Sequence, residues 1–123
     1  MYLPDTNIFI LGLKGNNPQA TFLAKAISKN KLFISVIVIG EFLTKADGEK
    51  EISFLKLAER FKILSVDEQV ARIAAEYRKQ SFKTKKAHLL DCFLAAQAKI
   101  NKLTLVTNDK SDFPMKDVKV IKP

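Results

Sequence analysis

Short apolar segments alternate with amphipathic helical segments along the whole chain, and this alternation is the feature that most constrains the fold. Strands that alternate with helices are typical of a parallel or mostly parallel sheet covered by helices. We therefore expect an α/β fold, a three-layer α/β/α sandwich with a short, mostly parallel central sheet, in which residues 1–123 form one domain. The apolar segments predict brief strands at residues 2–3, 32–34, 63–64, 103–106 and 118–121.

Polar residues mark the expected start of several helices. The first helix should be capped by the side-chain oxygen of Asp5, Thr6 or Asn7. Ser35 is a candidate cap for a third helix. The β-branched run at residues 36–39 is equally compatible with a strand, so both interpretations stay open there.

The last helical segment, residues 88–100, has the most regular apolar spacing. Leu90, Leu94 and Ala98 recur at intervals of four, which predicts that all three side chains face the core. A polar stretch at residues 45–50, which contains an Asp-Gly pair, predicts a turn between two earlier helices.

The charge balance suggests a phosphate-bearing partner. Lysine and arginine number 21 against 13 acids, which gives a formal net charge of +8. A positive surface attracts nucleic acid independently of its sequence, although the same charge is also compatible with a role in solubility alone. Composition therefore indicates a nucleic-acid partner without establishing one.

Several classes of protein and site are disfavoured by the sequence. The longest apolar stretch is too short and too interrupted to span a bilayer, and no secretory signal precedes it. The single cysteine, Cys92, allows no intrachain disulfide, so we expect a cytoplasmic protein. The single histidine, His88, excludes a two-histidine general acid–base mechanism. With four glycines and no phosphate-binding glycine loop, a nucleoside-triphosphate enzyme is not expected.

Acidic residues flanked by apolar ones are the strongest functional signal. Each acid taken alone has an ordinary explanation as a helix cap, a helix-edge group or a turn residue. Carboxylates set among core residues are costly to bury unpaired, so several of them suggest a shared partner. These acids are Asp5, Glu41, Asp91 and Asp109, with Asp112 three residues after the last.

A divalent cation is the partner that explains such a collection of acids. Mg²⁺ and Mn²⁺ prefer carboxylate oxygens and water, and they need no histidine or cysteine. Carboxylates that lie close together repel one another unless a cation neutralises them. With a bound metal, such a site supports the attack of water on a phosphodiester.

The motifs that carry these acids resemble those of the PIN-domain family, and within it the small VapC-like toxin ribonucleases of toxin–antitoxin systems. The resemblance spans essentially the whole chain and rests on LPDTNIFI, ISVIVIGEFL, LLDCFLAAQA and LTLVTNDKSDF, in the order of the family. It implies a small α/β/α sandwich and an Mg²⁺- or Mn²⁺-dependent endoribonuclease. It also implies a cognate antitoxin as a partner and a homodimer.

The resemblance assigns the metal ligands residue by residue. The family's Asp–Glu–Asp–Asp site maps onto Asp5, Glu41 and Asp91, and its fourth acid onto either Asp109 or Asp112. We expect Asp109 to be the nearer ligand, with Asp112 close by or binding through water. Two neutral groups are expected to orient carboxylates or a water: Asn7 and Thr107.

A basic segment just before the Asp91 helix is the expected RNA-binding surface. It carries no acid and borders the catalytic groove in this interpretation. Phe82, within it, is compatible with base stacking, but we expect its ring to be packed in the core. The five basic residues are Arg78, Lys79, Lys83, Lys85 and Lys86.

Two other functions remain compatible with the sequence. The first is a housekeeping RNA-processing nuclease of the same fold. The second is a basic RNA-binding module with a metal-free site, which the presence of all the acids disfavours.

Overall fold

The computed structural model describes residues 1–84 and 86–123. Its strands are short and run parallel to one another in every recorded pairing. They are β1 (Tyr2–Pro4), β2 (Phe33–Ser35), β3 (Lys62–Leu64), β4 (Thr104–Val106) and β5 (Val120–Ile121).

The strands follow the spatial order β3-β2-β1-β4-β5. β1, β4 and β5 form one ladder, and β2 and β3 form a second. A single parallel bridge between Tyr2 and Leu32 joins the two ladders, supported by a 2.8 Å hydrogen bond from the Tyr2 N–H to the Lys31 carbonyl. Because all five strands are parallel, their carboxyl ends meet at one edge of the sheet, where ligands bind in open α/β folds.

The helices connect the strands and cover the sheet. In the described residues they are α1 (Thr6–Leu13), α2 (Gln19–Ser28), α3 (Val36–Lys45), α4 (Gly48–Ala58), α5 (Glu68–Ser81) and α6 (Leu89–Asn101). α1 packs on α2 and α3, while α5 packs on α6, which in turn contacts β4. This arrangement confirms the predicted α/β sandwich with a mostly parallel sheet. No helix in the described part of the chain is long and apolar enough to cross a membrane.

Helix caps follow the sequence signals closely. The Asp5 carboxylate accepts a hydrogen bond from the Ile8 N–H, and Asp67 does the same for Val70 at the start of α5. Ser35 accepts from the Ile37 N–H, so the β-branched run at 36–39 is helix rather than strand. The Ser35 side chain satisfies a backbone N–H in the first turn of α3, which favours the helix. The β-branched residues alone would favour a strand.

An aromatic group joins α1, α3 and α4. The rings of Phe42 and Phe54 are stacked with centroids 4.1 Å apart, and Phe9 meets Phe54 edge-on at 5.5 Å. All three side chains are buried. Ring pairs of this kind add about 0.5–1.5 kcal/mol each beyond the area they bury, so they fix α4 against the rest of the core.

A buried glutamine ties the two-stranded ladder to α6. Gln97 is fully buried, and its amide nitrogen donates to the carbonyls of Leu64 at 3.1 Å and Ser65 at 3.0 Å. Its amide oxygen accepts from the Ser35 hydroxyl. One side chain thereby satisfies polar groups at the ends of both β2 and β3.

Two predictions about the helices were wrong in detail. Leu90 is exposed, whereas Leu94 and Ala98 on the same stripe are buried. Helical spacing identifies the residues that share one face of α6. It does not show that the first turn, which carries Leu90, is not covered by neighbouring elements. The predicted turn at 45–50 is also shorter, because α3 continues to Lys45 and α4 begins at Gly48.

Candidate active site

Asp5 lies at the carboxyl end of β1, where the strand meets α1. Its N–H donates to the Val106 carbonyl at 2.9 Å, which fixes it beside the end of β4. The carboxylate accepts a short hydrogen bond from the Thr107 hydroxyl and a 3.4 Å bond from the Ile8 N–H. Burial raises the pKa of Asp5, these hydrogen bonds and one from the Asn7 N–H lower it, and the negative charge of Glu41 raises it again.

Glu41 reaches the same edge from α3. Its carboxylate accepts a 2.7 Å hydrogen bond from the hydroxyl of Thr6, the first residue of α1. Thr6 is buried and Glu41 is half-buried, so the bond restricts where the carboxylate can point. Of two adjacent residues, Asp5 therefore contributes a carboxylate, and Thr6 holds the carboxylate of Glu41 by a hydrogen bond.

Asp91, in the first turn of α6, completes this group of acids. Its pKa is raised to about 6. Burial is the main cause, the negative charges of Asp112, Glu41 and Asp5 also raise the pKa, and His88 lowers it. Such effects fall off with distance, so these carboxylates lie in one electrostatic cluster. We call Asp5, Glu41, Asp91 and Asp112 the acidic cluster.

The two candidates for the fourth acid occupy different positions after β4. Asp109 is exposed and begins a 3₁₀ turn at Lys110–Asp112, where its carboxylate accepts a 3.0 Å hydrogen bond from the Ser111 N–H. Asp112 is half-buried, and its charge raises the pKa of Asp91. The effect of its charge on the pKa of Asp91 favours Asp112 as the acid nearer to Asp91. The assignment of either acid as a ligand stays a prediction.

The donor set fits a hard divalent cation in chemistry and in charge. Four carboxylates approach one another, and their mutual repulsion is what a cation relieves. Within residues 1–84 and 86–123, however, no three His, Cys, Asp or Glu side chains are arranged closely enough to form a ready-made metal site. The cluster therefore supplies suitable ligands without a preformed ligand geometry.

The predicted orienting groups differ in what they contact. Thr107 is buried and donates to Asp5, as expected of a group that orients a carboxylate. Asn7 is exposed, and its backbone N–H, not its side chain, acts on Asp5. A role for the Asn7 side chain stays a prediction.

Sequence reasoning missed two polar contacts at this edge. Thr6 was considered only as a cap, yet it supports Glu41 from 35 residues away in sequence. Gln19, at the start of α2, donates to the side-chain amide oxygen of Asn108 at 2.8 Å and so anchors the segment after Thr107. Neither residue has a local signal, because each partner is distant along the chain.

The basic segment lies at the end of α5 and in the turn toward α6. Arg78 and Lys79 are in the last turn of α5, and Lys83 and Lys86 are exposed in the turn. Lys85 lies outside the described residues. The Arg78 guanidinium donates to the Ala87 carbonyl. This contact holds the segment next to the start of α6, which carries Asp91.

Phe82 contradicts the expectation that its ring is packed in the core. Its side chain is 58% exposed, with the Arg78 guanidinium carbon 5.4 Å and the Lys86 ammonium nitrogen 5.5 Å from the ring centroid. Phe82 is the C-cap of α5 and lies one position beyond Ser81, the last buried residue of that helix. Cys92, in contrast, is fully buried, and burial raises the pKa of its thiol.

Comparison with known proteins gives a family and a fold. The model of the family described as PIN domain matches residues 2–119. The structure of FitAcB from Neisseria gonorrhoeae is 28% identical, with a TM-score of 0.81, covering 98% of this chain and 96% of that one. A toxin–antitoxin complex from Klebsiella pneumoniae gives 23% identity and a TM-score of 0.80, with 98% and 96% coverage.

A third structure is that of VapC20 from Mycobacterium tuberculosis, described as a toxin that cleaves the sarcin–ricin loop. It is 17% identical, with a TM-score of 0.68, and covers 97% of this chain and 99% of that one. No curated protein sequence gives a significant match. At these identities the last two structures show a shared fold only.

Proposed function

The chain belongs to the PIN-domain family, and from this premise we propose that it is the nuclease toxin of a toxin–antitoxin pair, an Mg²⁺- or Mn²⁺-dependent endoribonuclease. The observation that carries the proposal is the acidic cluster. Its members come from the end of β1, from α3, from α6 and from the segment after β4. At one edge of the sheet, the negative charges of these acids raise the pKa values of Asp5 and Asp91. A collection of acids from four parts of a chain is costly without a cation to neutralise it.

Asp5, Glu41, Asp91 and one of Asp109 and Asp112 would hold the metal. When bound, a divalent ion neutralises the carboxylates, acidifies a water and polarises the phosphodiester that the water attacks. The hydroxyl of Thr107 orients Asp5, which lowers the cost of arranging that ligand.

Glu41 is oriented in the same way by Thr6. The raised pKa of Asp91 means that its carboxyl group is partly protonated just below neutral pH when no cation is near. Metal binding would then release a proton from this group, as expected whenever a ligand must be deprotonated.

RNA is the proposed substrate, with the basic segment as the surface that binds its phosphates. The net charge of +8 and the absence of any acid from residues 78–86 support this assignment. VapC20, whose fold the chain shares, is described as a toxin that cleaves the sarcin–ricin loop. We propose the same class of substrate here, without a choice among messenger, transfer and ribosomal RNA.

A cognate antitoxin and a second copy of the chain are the proposed protein partners. The structure from Klebsiella pneumoniae is described as a toxin–antitoxin complex, and the chain of it that matches shares the fold of this protein. The proposed setting is the cytoplasm. Val36, an exposed apolar residue of α3, is available for contacts between proteins.

Cleavage of a long single-stranded RNA by the purified protein tests the proposed activity. We expect cleavage with Mn²⁺ or Mg²⁺, none with a chelator, and a loss in Asp5→Asn larger than the roughly 10- to 100-fold typical of outer-shell changes. Asp47→Asn, which removes the same charge from an exposed position at the start of α4, should cleave like wild type. Equal cleavage by wild type and Asp5→Asn would remove the acidic cluster from the reaction.

One observation favours a second candidate, a basic RNA-binding module without a metal. The described acids do not form a ready-made metal site. Such a module would bind RNA equally well with Mn²⁺ and with a chelator, and it would cleave in neither condition.

A further inference from the structure

The turn between α5 and α6 presents an aromatic ring to solvent beside several cations. At 58% exposure, Phe82 is the most exposed of the large apolar side chains in the described part of the chain. Covering such a ring is favourable by a few kcal/mol, so Phe82 gains from a partner that packs on it. Together with the two cations beside it, the ring forms a surface that is both apolar and positively charged.

Hydrogen bonds hold this turn in place. The Ser81 hydroxyl is buried, donates to the Arg78 carbonyl at 2.7 Å and accepts from the Ala87 N–H at 3.0 Å. The Arg78 guanidinium donates to the Ala87 carbonyl. Both backbone polar groups of Ala87 are therefore bound to residues at the end of α5, and the ring of Phe82 is presented from a defined position.

The same contacts join the turn that carries the ring to the start of α6, the helix that carries Asp91. Ala87 and Asp91 are four residues apart, so their backbones lie within about 14 Å of each other even in an extended chain. Two further exposed apolar residues, Leu89 and Leu90, precede Asp91 directly at the start of α6.

We propose that Phe82 stacks on an unpaired base of single-stranded RNA that is held at the acidic cluster, while Arg78 and Lys86 bind the flanking phosphates. This inference rests on the proposed nuclease function and names the form of RNA that the site takes. Every base has a π face, so stacking on an aromatic side chain accepts many sequences but requires an unstacked base.

The charge around the ring favours nucleic acid over a protein partner. Every charged residue from 78 to 86 is basic, and two cations lie within 6 Å of the ring centroid. Lys86 is exposed, so its ammonium can move from the ring to a phosphate at little cost. Arg78 is held beside the ring by the Ala87 carbonyl, and its other guanidinium N–H groups can donate to a phosphate.

Binding of a fluorescent single-stranded RNA to the Asp5→Asn protein tests the stacking, because that background separates binding from cleavage. Phe82→Leu keeps an apolar side chain without a π face, and we expect its affinity to fall about 5- to 100-fold. Phe82→Trp should keep or improve the affinity. Ile52→Ala, which alters an equally exposed apolar residue on α4, should bind like the parent protein.

An RNA of the same length with abasic positions provides the matched ligand. We expect Phe82→Leu and its parent to bind the abasic strand equally, because both keep the cations. Full affinity of Phe82→Leu for the normal strand would overturn the stacking proposal. So would a change from dimer to monomer in Phe82→Leu with RNA affinity unchanged, because the ring would then belong to a protein interface.

Cleavage by Phe82→Leu in the otherwise wild-type chain separates this proposal from the nuclease function. If wild type cleaves and Phe82→Leu cleaves and binds equally well, the stacking proposal fails and the nuclease stands. If wild type neither binds nor cleaves RNA, the proposed function fails, and the stacking proposal fails with it.

Discussion

Two hydroxyl groups determine how the carboxylates of the acidic cluster are presented. Thr6 donates to Glu41 and Thr107 donates to Asp5, and both threonines are buried while both acids are half-buried. A threonine has a stiff side chain, so these bonds fix acids that would otherwise rotate freely. Among the acids of the cluster, Asp91 has the largest rise in pKa, because it is partly buried and lies near three like charges.

Replacement of Asp91 should stabilise the metal-free protein above neutral pH. Because its folded pKa is raised to about 6, the folded state retains a proton that the unfolded state loses near pH 4. Stability therefore falls as the pH rises from 4 to 6, and the penalty is fully present above pH 6. Asp91→Asn removes it, and we expect a gain of about 1 kcal/mol at pH 7.5 after allowance for solvent screening.

Urea unfolding in the presence of a chelator measures this gain. At pH 4 the gain should nearly vanish, since Asp91 is then protonated in the folded state and still about half protonated in the unfolded state. Asp47→Asn makes the same change in net charge at an exposed position and should show no gain at pH 7.5. A destabilised Asp91→Asn at pH 7.5 would contradict the repulsion among these acids.

The two acids after β4 should differ in their effect on metal binding. Asp112 acts on Asp91 electrostatically, whereas Asp109 is exposed and bonded to Ser111. We expect Asp112→Asn to weaken Mn²⁺ binding more than Asp109→Asn does, measured as the Mn²⁺-dependent rise in melting temperature. The reverse order would support Asp109 as the direct ligand.

At the scale of the elements, Gln97 is the residue that joins sheet and helix. Gln97→Leu leaves the buried Ser35 hydroxyl and the buried carbonyl of Leu64 without this partner, and it also removes the hydrogen bond to the carbonyl of Ser65, an exposed residue. Each orphaned buried group costs about 1–3 kcal/mol, so we expect a total loss of at least 2 kcal/mol in the free energy of unfolding. Gln80→Leu, at an exposed position on α5, should change it by less than about 0.5 kcal/mol.

Denaturant unfolding of both variants gives the comparison. Ser35→Ala added to Gln97→Leu should cost less than it does alone, because the hydroxyl has already lost its partner. Strict additivity of the two changes would show that the Ser35–Gln97 bond contributes nothing to stability.

The order and type of these elements could be predicted from sequence, because each depends on local pattern. Apolar runs gave the five strands, and the caps at Asp5, Ser35 and Asp67 mark three helix starts. The predicted exposure failed at Leu90 and Phe82, which lie at helix ends. Helical spacing defines a face, but the neighbouring elements decide how far along the helix that face is covered.

The acids of the candidate site and one group that supports them, Thr107, could be named from the sequence, whereas the other supporting contacts could not. Asp5, Glu41 and Asp91 could be named because each stands in an apolar motif. The bonds from Thr6 to Glu41 and from Gln19 to Asn108 join residues 35 and 89 positions apart, and no local pattern encodes them. They follow from parallel strands that end at one edge of the sheet.

At the scale of the whole molecule, charge of opposite sign is separated over a short distance. A chain with a net charge of +8 collects four acids at one edge of its sheet, and its densest basic segment begins where α5 ends and leads to α6. A positive surface beside a metal site attracts a polyanion and leaves the scissile phosphate near the metal. The parallel sheet makes both features possible, since it brings chain segments from both halves to the same edge.

Calorimetric titration of the protein with Mn²⁺ tests most directly whether the acidic cluster is a metal site. Wild type and Asp47→Asn should bind Mn²⁺ with the same affinity and with proton release below pH 7, whereas Asp5→Asn should bind at least tenfold more weakly. Negligible or identical binding by wild type and Asp5→Asn would contradict the account and leave a basic α/β domain without a metal centre.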